Sequence, residues 1–229
     1  MSSLPRINLR SNTVDAVADQ LRFELVQGSI KPGDRIWPKE LAKRFSVSHI
    51  PVREALRRLE AEDLISATAQ GATFATDVRV EHIDGIYELR TVVEGEFAWR
   101  SAQLRGDKDI LDAHRILAQL EGLDPYCEQF YTLHREFHWT LLAPAANEVI
   151  HQVLVRLWWR TDRYLAVAVA KDSGFPAKSH AETRSREHRE LVAEFAAGDA
   201  DGLRRSLVAH LTNTQSRLRS IYLAEADSE

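Results

Sequence analysis

The sequence predicts a mostly α-helical chain in two parts: three helices closed by a β-hairpin over residues 1–77, then an all-α bundle over residues 78–229. Three observations carry this prediction. Apolar residues recur at intervals of three and four along most of the chain, the period of one helix face. Between Leu64 and Thr76 the pattern becomes two short β-branched runs divided by Gln70-Gly71. Beyond Asp77 only helical periodicity is found, with no repeat and no second set of strands.

The elements follow in order. Thr13 is positioned to cap a helix reaching Gln27, with Val17, Leu21 and Leu25 on one face and Gly28 as its stop. Lys31-Pro32-Gly33-Asp34 is a turn, because proline presets its backbone angle and glycine accepts positive φ. A short helix from Lys39 to Phe45 turns Leu41, Ala42 and Phe45 inward. Ser48 can cap a third helix reaching Glu62, whose buried stripe is Val52, Ala55, Leu56 and Leu59. Pro51 falls in its first turn, where the N–H groups have no intrahelical acceptor to lose. After the hairpin, helices are expected near 80–104, 107–121, 126–143, 146–171, 179–197 and 200–224. Asp107, Ser179 and Asp199 are candidate caps, and Gly106 and Gly198 candidate stops.

Of the 229 residues, 44% are hydrophobic and 28% charged, a globular mixture able to bury a core. The single cysteine, Cys127, excludes an intramolecular disulfide and the thiolate-rich zinc modules, and points to a reducing cytoplasm. No apolar run is long enough to span a bilayer, and Met1 to Asn12 lacks the apolar stretch of a secretory signal, so neither membrane nor export is expected. The net charge of −4 argues against nucleic acid only until it is divided. Residues 1–77 hold eleven Lys and Arg against ten Asp and Glu, whereas residues 78–229 hold nineteen against twenty-four.

Residues 39–62, KELAKRFSVSHIPVREALRRLEAE, place two helices about a short turn with the amino end of the second pointing outward. That is helix-turn-helix geometry, and the hairpin behind it makes the unit a winged helix-turn-helix. A helix amino end offers free N–H groups and partial positive charge to phosphate, and its first-turn side chains can enter the major groove. Here those side chains are His49, Ile50 and, one turn on, Arg53, which can present two donors to guanine. Ser48 and Lys39 suit phosphate, while Gly71 at the wing tip permits close approach to the minor groove. Arg57 is four residues beyond Arg53 and can reach the DNA backbone or pair with Glu60.

Residues 14–76 resemble the GntR family of bacterial transcription regulators, through PGDRI, ELAKRF and above all VSHIPVREALRRLEAEDLI. The resemblance implies DNA contacts at Lys39, Ser48, His49, Arg53 and Gly71. Family members most often carry arginine at the position of His49 and threonine at that of Ile50. The histidine is shorter and only fractionally charged at neutral pH, which implies a half-site differing beside the guanine read by Arg53.

A second constellation lies in the bundle. His134 and His138 share the stripe of Phe130, Leu133, Phe137 and Leu141; His188 precedes Leu191, Val192 and Phe195; His210 follows Leu203 and Leu207. Three helices thus aim imidazoles inward. Each alone is compatible with an ordinary hydrogen-bonded core histidine, but four together are costly to bury unless something satisfies their nitrogens, as a divalent metal would. LHREFHWTLL, REHRELVAEFAAGD and RRSLVAHL resemble the C-terminal FCD domain of the FadR subgroup across residues 80–223. That resemblance implies a metal held by an aspartate and three histidines. The histidines map onto His138, His188 and His210, and the aspartate position is His134. Four neutral nitrogen ligands favour zinc or nickel over magnesium or calcium, and losing the carboxylate favours an anionic effector. Arg90, in YELRTVVEG, is the position that faces the effector cavity in the family; on sequence alone it can equally form a surface ion pair with Glu94. His82, His114, His151 and His180 lack such convergence. One of Trp158 and Trp159 is expected in the core or at a subunit contact.

These features predict a transcription regulator, with repression the expected action, not an enzyme. It would act as a homodimer on double-stranded DNA with a palindromic operator and answer to a small carboxylate. The rival is a metal-dependent hydrolase using the histidine cluster, since HREFH is similar to the metalloprotease helix. Its acid is misplaced: a catalytic glutamate must directly follow the first histidine, and Glu136 lies two residues on, on the opposite side of the helix. A purely architectural DNA binder would not need a helical cavity of some 150 residues.

Overall fold

The computed structural model describes residues 13–123, 127–171 and 178–226. They form helices α1 (Thr13–Val26), α2 (Pro38–Phe45), α3 (His49–Ala61), α4 (Val80–Leu104), α5 (Asp107–Glu121), α6 (Glu128–Leu142), α7 (Glu148–Lys171), α8 (Lys178–Ala197) and α9 (Ala200–Ala226). Three strands, β1 (Arg35–Ile36), β2 (Ile65–Ala67) and β3 (Thr73–Ala75), make up one sheet. The chain separates into two compact units after Val78. Met1 to Asn12 lies outside the described residues.

In the first unit α1 packs on α3 because each carries one continuous apolar stripe. Val17, Leu21 and Leu25 on α1 and Val52, Ala55 and Leu59 on α3 are all fully buried. Trp37 stands before α2, with Pro38 as its first residue, and Ser46 closes that helix in the left-handed region, its N–H donating to the Lys43 carbonyl. This tight exit lets α3 begin three residues later. Ser48 does occupy the cap position of α3, but its side chain makes no capping bond, so its hydroxyl stays exposed. Arg57 pairs with Glu54, not with Glu60.

The hairpin pairs Ile65 with Ala75 and Ala67 with Thr73, and Gly71 closes its tip at a φ of +80° that a side chain would strain. Strand β1 was not expected. It runs antiparallel to β3 on the other side, Arg35 opposite Phe74 and Ile36 opposite Thr73, giving the order β1-β3-β2. Two residues are too few for any periodicity to announce a strand; the pairing follows from the preceding turn, where Gly33 and Asp34 bond Ala75.

The second unit is entirely helical among its described residues, with α4 and α9 packed along the greatest length and α5 against α6 and α8. Gly106 does not stop α4, which ends at Leu104. It is the residue before α5 and donates its N–H to Asp109, so Asp107 is the first residue of the helix and not its cap. Asp199 does cap, accepting from Gly202 N–H, and Gly198 ends α8. Ser179 falls inside α8, where its side chain is outside the described residues, as is that of His180. Leu133 is half-buried, whereas Phe130, Phe137 and Leu141 are in the core.

Candidate DNA surface and histidine centre

On the first unit, Lys39, Ser48, His49, Ile50, Arg53 and Gly71 are all exposed. Ile50 is 74% exposed, so the apolar side chain at the start of α3 covers nothing within its own unit. Sequence periodicity had already turned Val52, Ala55, Leu56 and Leu59 inward, and the positions between them are therefore presented outward. Among the described arginines of this unit, Arg22 pairs with Asp19 and Glu62, Arg44 with Glu24, Arg57 with Glu54 and Arg58 with Asp15.

In the second unit α6, α8 and α9 bring four imidazoles together. His134, His138, His188 and His210 each offer one nitrogen, and these atoms lie within 4.8 Å of one another. Ring centroids are 4.7 Å apart for His134 and His138, 5.1 Å for His134 and His188, and 5.0 Å for His188 and His210. The Nε2 atoms of His134, His138 and His188 are buried and find no hydrogen-bond partner among the described residues. Burial lowers the pKa of His138 to about 4 against the attraction of Glu94, and burial together with repulsion from neighbouring histidines holds His134 and His188 well below the usual imidazole range. Neutral, converging, unpartnered nitrogens are what a divalent cation requires, so the residues present fit such an ion. Glu136 is exposed on the far side of α6.

Two groups that sequence reasoning missed orient this centre. Glu94 on α4 accepts from His138 Nδ1 at 2.9 Å, and Glu187 on α8 accepts from His210 Nδ1 at 2.8 Å. Each carboxylate fixes the tautomer with hydrogen on Nδ1 and leaves Nε2 as the lone-pair nitrogen. Glu94 is fully buried and also receives Arg90 Nε at 2.6 Å and Trp158 Nε1 at 2.9 Å. The Arg90 pair is thus made, but in the core rather than at the surface, with Thr161 as a further acceptor at 3.3 Å. Arg90 and His138 together hold the Glu94 carboxyl well below the usual carboxylate range despite its burial. A glutamate four residues from an arginine signals only a helix pair; nothing in the sequence says that α7 and α6 close over it. Trp158 is the buried member of the tryptophan pair, and Arg135 stacks on Trp159 at 3.7 Å. His82 and His114 are exposed, and His151 packs at a tilt against Trp139, outside the four-histidine group.

Known families match both parts of the chain. Residues 13–75 match the family described as bacterial regulatory proteins, gntR family, and residues 85–213 match the FCD domain. The chain is 24% identical over 221 residues to the gluconate operon transcriptional repressor of Bacillus licheniformis, covering 94% of this chain and 89% of that one. It is 25% identical over 213 residues to the HTH-type transcriptional repressor RspR of Escherichia coli strain K12, covering 90% and 89%. Among solved structures, Escherichia coli McbR/YncC has the same fold at a TM-score of 0.79 and 22% identity, over 93% of this chain and 99% of that one. A GntR family member from Pseudomonas syringae pv. tomato reaches a TM-score of 0.54 at 25% identity, over 95% and 89%.

Proposed function

This chain belongs to the GntR family of bacterial regulatory proteins and carries an FCD domain, and from that premise we propose how this DNA-binding transcription regulator is controlled: it is a homodimeric repressor that reads a palindromic operator with residues 1–77 and senses a small carboxylate beside a divalent metal in residues 78–229. It is not an enzyme, since its family and relatives are regulators; the hydrolase reading falls with them. No described helix is long and apolar enough to cross a membrane.

At the operator, Arg53 reads guanine, His49 and Ile50 meet the neighbouring bases, Lys39 and Ser48 hold phosphate, and Gly71 lets the wing approach the minor groove. The exposure of Ile50 supports this, because an apolar side chain suits a thymine methyl group. Repression is supported by the names of the relatives in Bacillus licheniformis and Escherichia coli. On α4, Leu89 and Val92 are 55% and 66% exposed and three residues apart, a face suited to a second copy of the chain.

The metal rests on one observation, the three buried and unpartnered Nε2 atoms that converge with His210. His134, His138, His188 and His210 would hold the ion, and zinc or nickel fits four imidazoles better than magnesium or calcium. The bound ion would supply a positive charge able to anchor an anion. Arg90 supplies a second anchor while keeping Glu94 as its counterion, so an effector carboxylate meets a guanidinium already fixed in place. The effector acts through different affinities for the DNA-competent and incompetent states. Elemental analysis of the purified protein before and after chelation tests the centre: about one zinc or nickel per chain is expected, and undiminished metal in His138→Ala would refute it.

A further inference from the structure

The positive charge of the first unit is distributed unevenly, and this points to a contact that helix-turn-helix geometry does not supply. Four of its described arginines are neutralised by carboxylates within the unit. The other two, Arg53 and Arg35, have no ion pair among the described residues. Arg53 is on the reading helix. Arg35 is on β1, the strand that the sequence did not announce, and it is exposed.

Its surroundings are built for a planar cation. The guanidinium carbon lies 3.6 Å from the centre of the Trp37 ring and 5.9 Å from that of Phe74, its cross-strand partner. Trp37 is 46% exposed although it is a large aromatic residue, and its conspicuous contact is with this arginine. Stacking occupies a face of the guanidinium and leaves its in-plane N–H groups directed outward, where they can take phosphate oxygens in pairs. Arg35 also bridges two elements that face the duplex: Trp37 is the residue immediately before α2, two residues from Lys39, and Phe74 is in the wing strand β3.

We propose that Arg35, held on Trp37 and Phe74, is a further phosphate-binding point of this unit besides Lys39 and Ser48, taking the DNA backbone between the start of α2 and the wing. It contributes affinity but no sequence information, because phosphate is the same at every step. It rests on the reading of residues 1–77 as the DNA-binding part.

The test is a titration of the full-length protein against a fluorescent random-sequence duplex over a range of salt concentrations. Each phosphate neutralised contributes about 0.9 to the slope of log K against log salt. Arg35→Ala is expected to lower the slope by about one, weakening every duplex in the same proportion, and Arg35→Lys to restore the slope. Trp37→Ala is expected to weaken binding while leaving most of the slope, since the charge remains and only its platform is lost. An unchanged slope in a folded Arg35→Ala protein, or a slope equally reduced in Arg35→Lys, overturns the proposal. Absence of salt-dependent binding by the wild type would instead overturn the reading on which it rests.

Discussion

Glu187 shows how one side chain outside a cluster can govern it. Its bond to His210 Nδ1 leaves Nε2 as the lone-pair nitrogen, and its side chain, 14% exposed, lies at the margin of the core. Glu187→Ala is expected to weaken zinc binding about 10- to 100-fold, the usual effect of removing such a partner, while Glu187→Gln recovers part of the loss because an amide oxygen still accepts from Nδ1–H. Competition against a chromophoric chelator measures both. At the other site, Arg53→Ala is expected to cost about 1–3 kcal/mol on the operator and to relax preference at one base pair. His49→Arg is expected to move the selected half-site toward a different neighbouring base, as a binding-site selection would reveal. The outward position of Arg53 and His49 was legible from spacing alone, since a helix with a known inward stripe presents its other residues outward. Glu187 and Glu94 were not, because their role depends on which helix lies opposite.

At the scale of elements, the most extensively packed helix pair among the described residues is α4 with α9, and Gly95 lies in its contact. A Cβ built at Gly95 would lie 3.2 Å from Val208 Cγ2, so any side chain here needs Val208 to shift, and a branched one crowds the contact further. Gly95→Val is expected to destabilise the protein by about 1–3 kcal/mol and to lower metal affinity as well, since Glu94 precedes it on α4 and His210 follows Val208 on α9. Thermal melting and zinc titration of the same variant test the two parts separately. The ends of these elements were legible to within a few residues wherever glycine, proline or aspartate marked them. The exception at Gly106 is instructive: a glycine between two helices is compatible with ending the first or beginning the second, and here the Asp109 carboxylate drew it to the second.

For the whole molecule, the buried histidines tie stability to pH. His134, His138 and His188 have folded-state pKa values below the ordinary imidazole value near 6.5, His138 at about 4. Between those values these histidines bind more protons in the unfolded chain than in the folded one, so their contribution to stability rises with pH and is lost on acidification, offset in part by buried Asp162, whose pKa burial raises to about 6. Metal-free protein is therefore expected to lose stability from about pH 6.5 down to pH 4, by up to about 1.4 kcal/mol per pH unit for each such histidine, and to be nearly flat between pH 7 and 8. Melting curves across that range check it. Saturating zinc should raise the melting temperature at pH 7, because an ion bound only by the folded state stabilises it. The sequence by itself determined the two-part helical architecture, the outward side chains of α3 and the inward aim of four histidines, because periodicity fixes which face of a helix is apolar. Only the tertiary structure decided that three helices bring those histidines within reach of one ion, that Glu94 lies in the core between Arg90 and His138, and that Arg35 rests on Trp37 beside the wing. Those facts depend on which faces meet, and meeting is settled by packing between segments far apart in the chain.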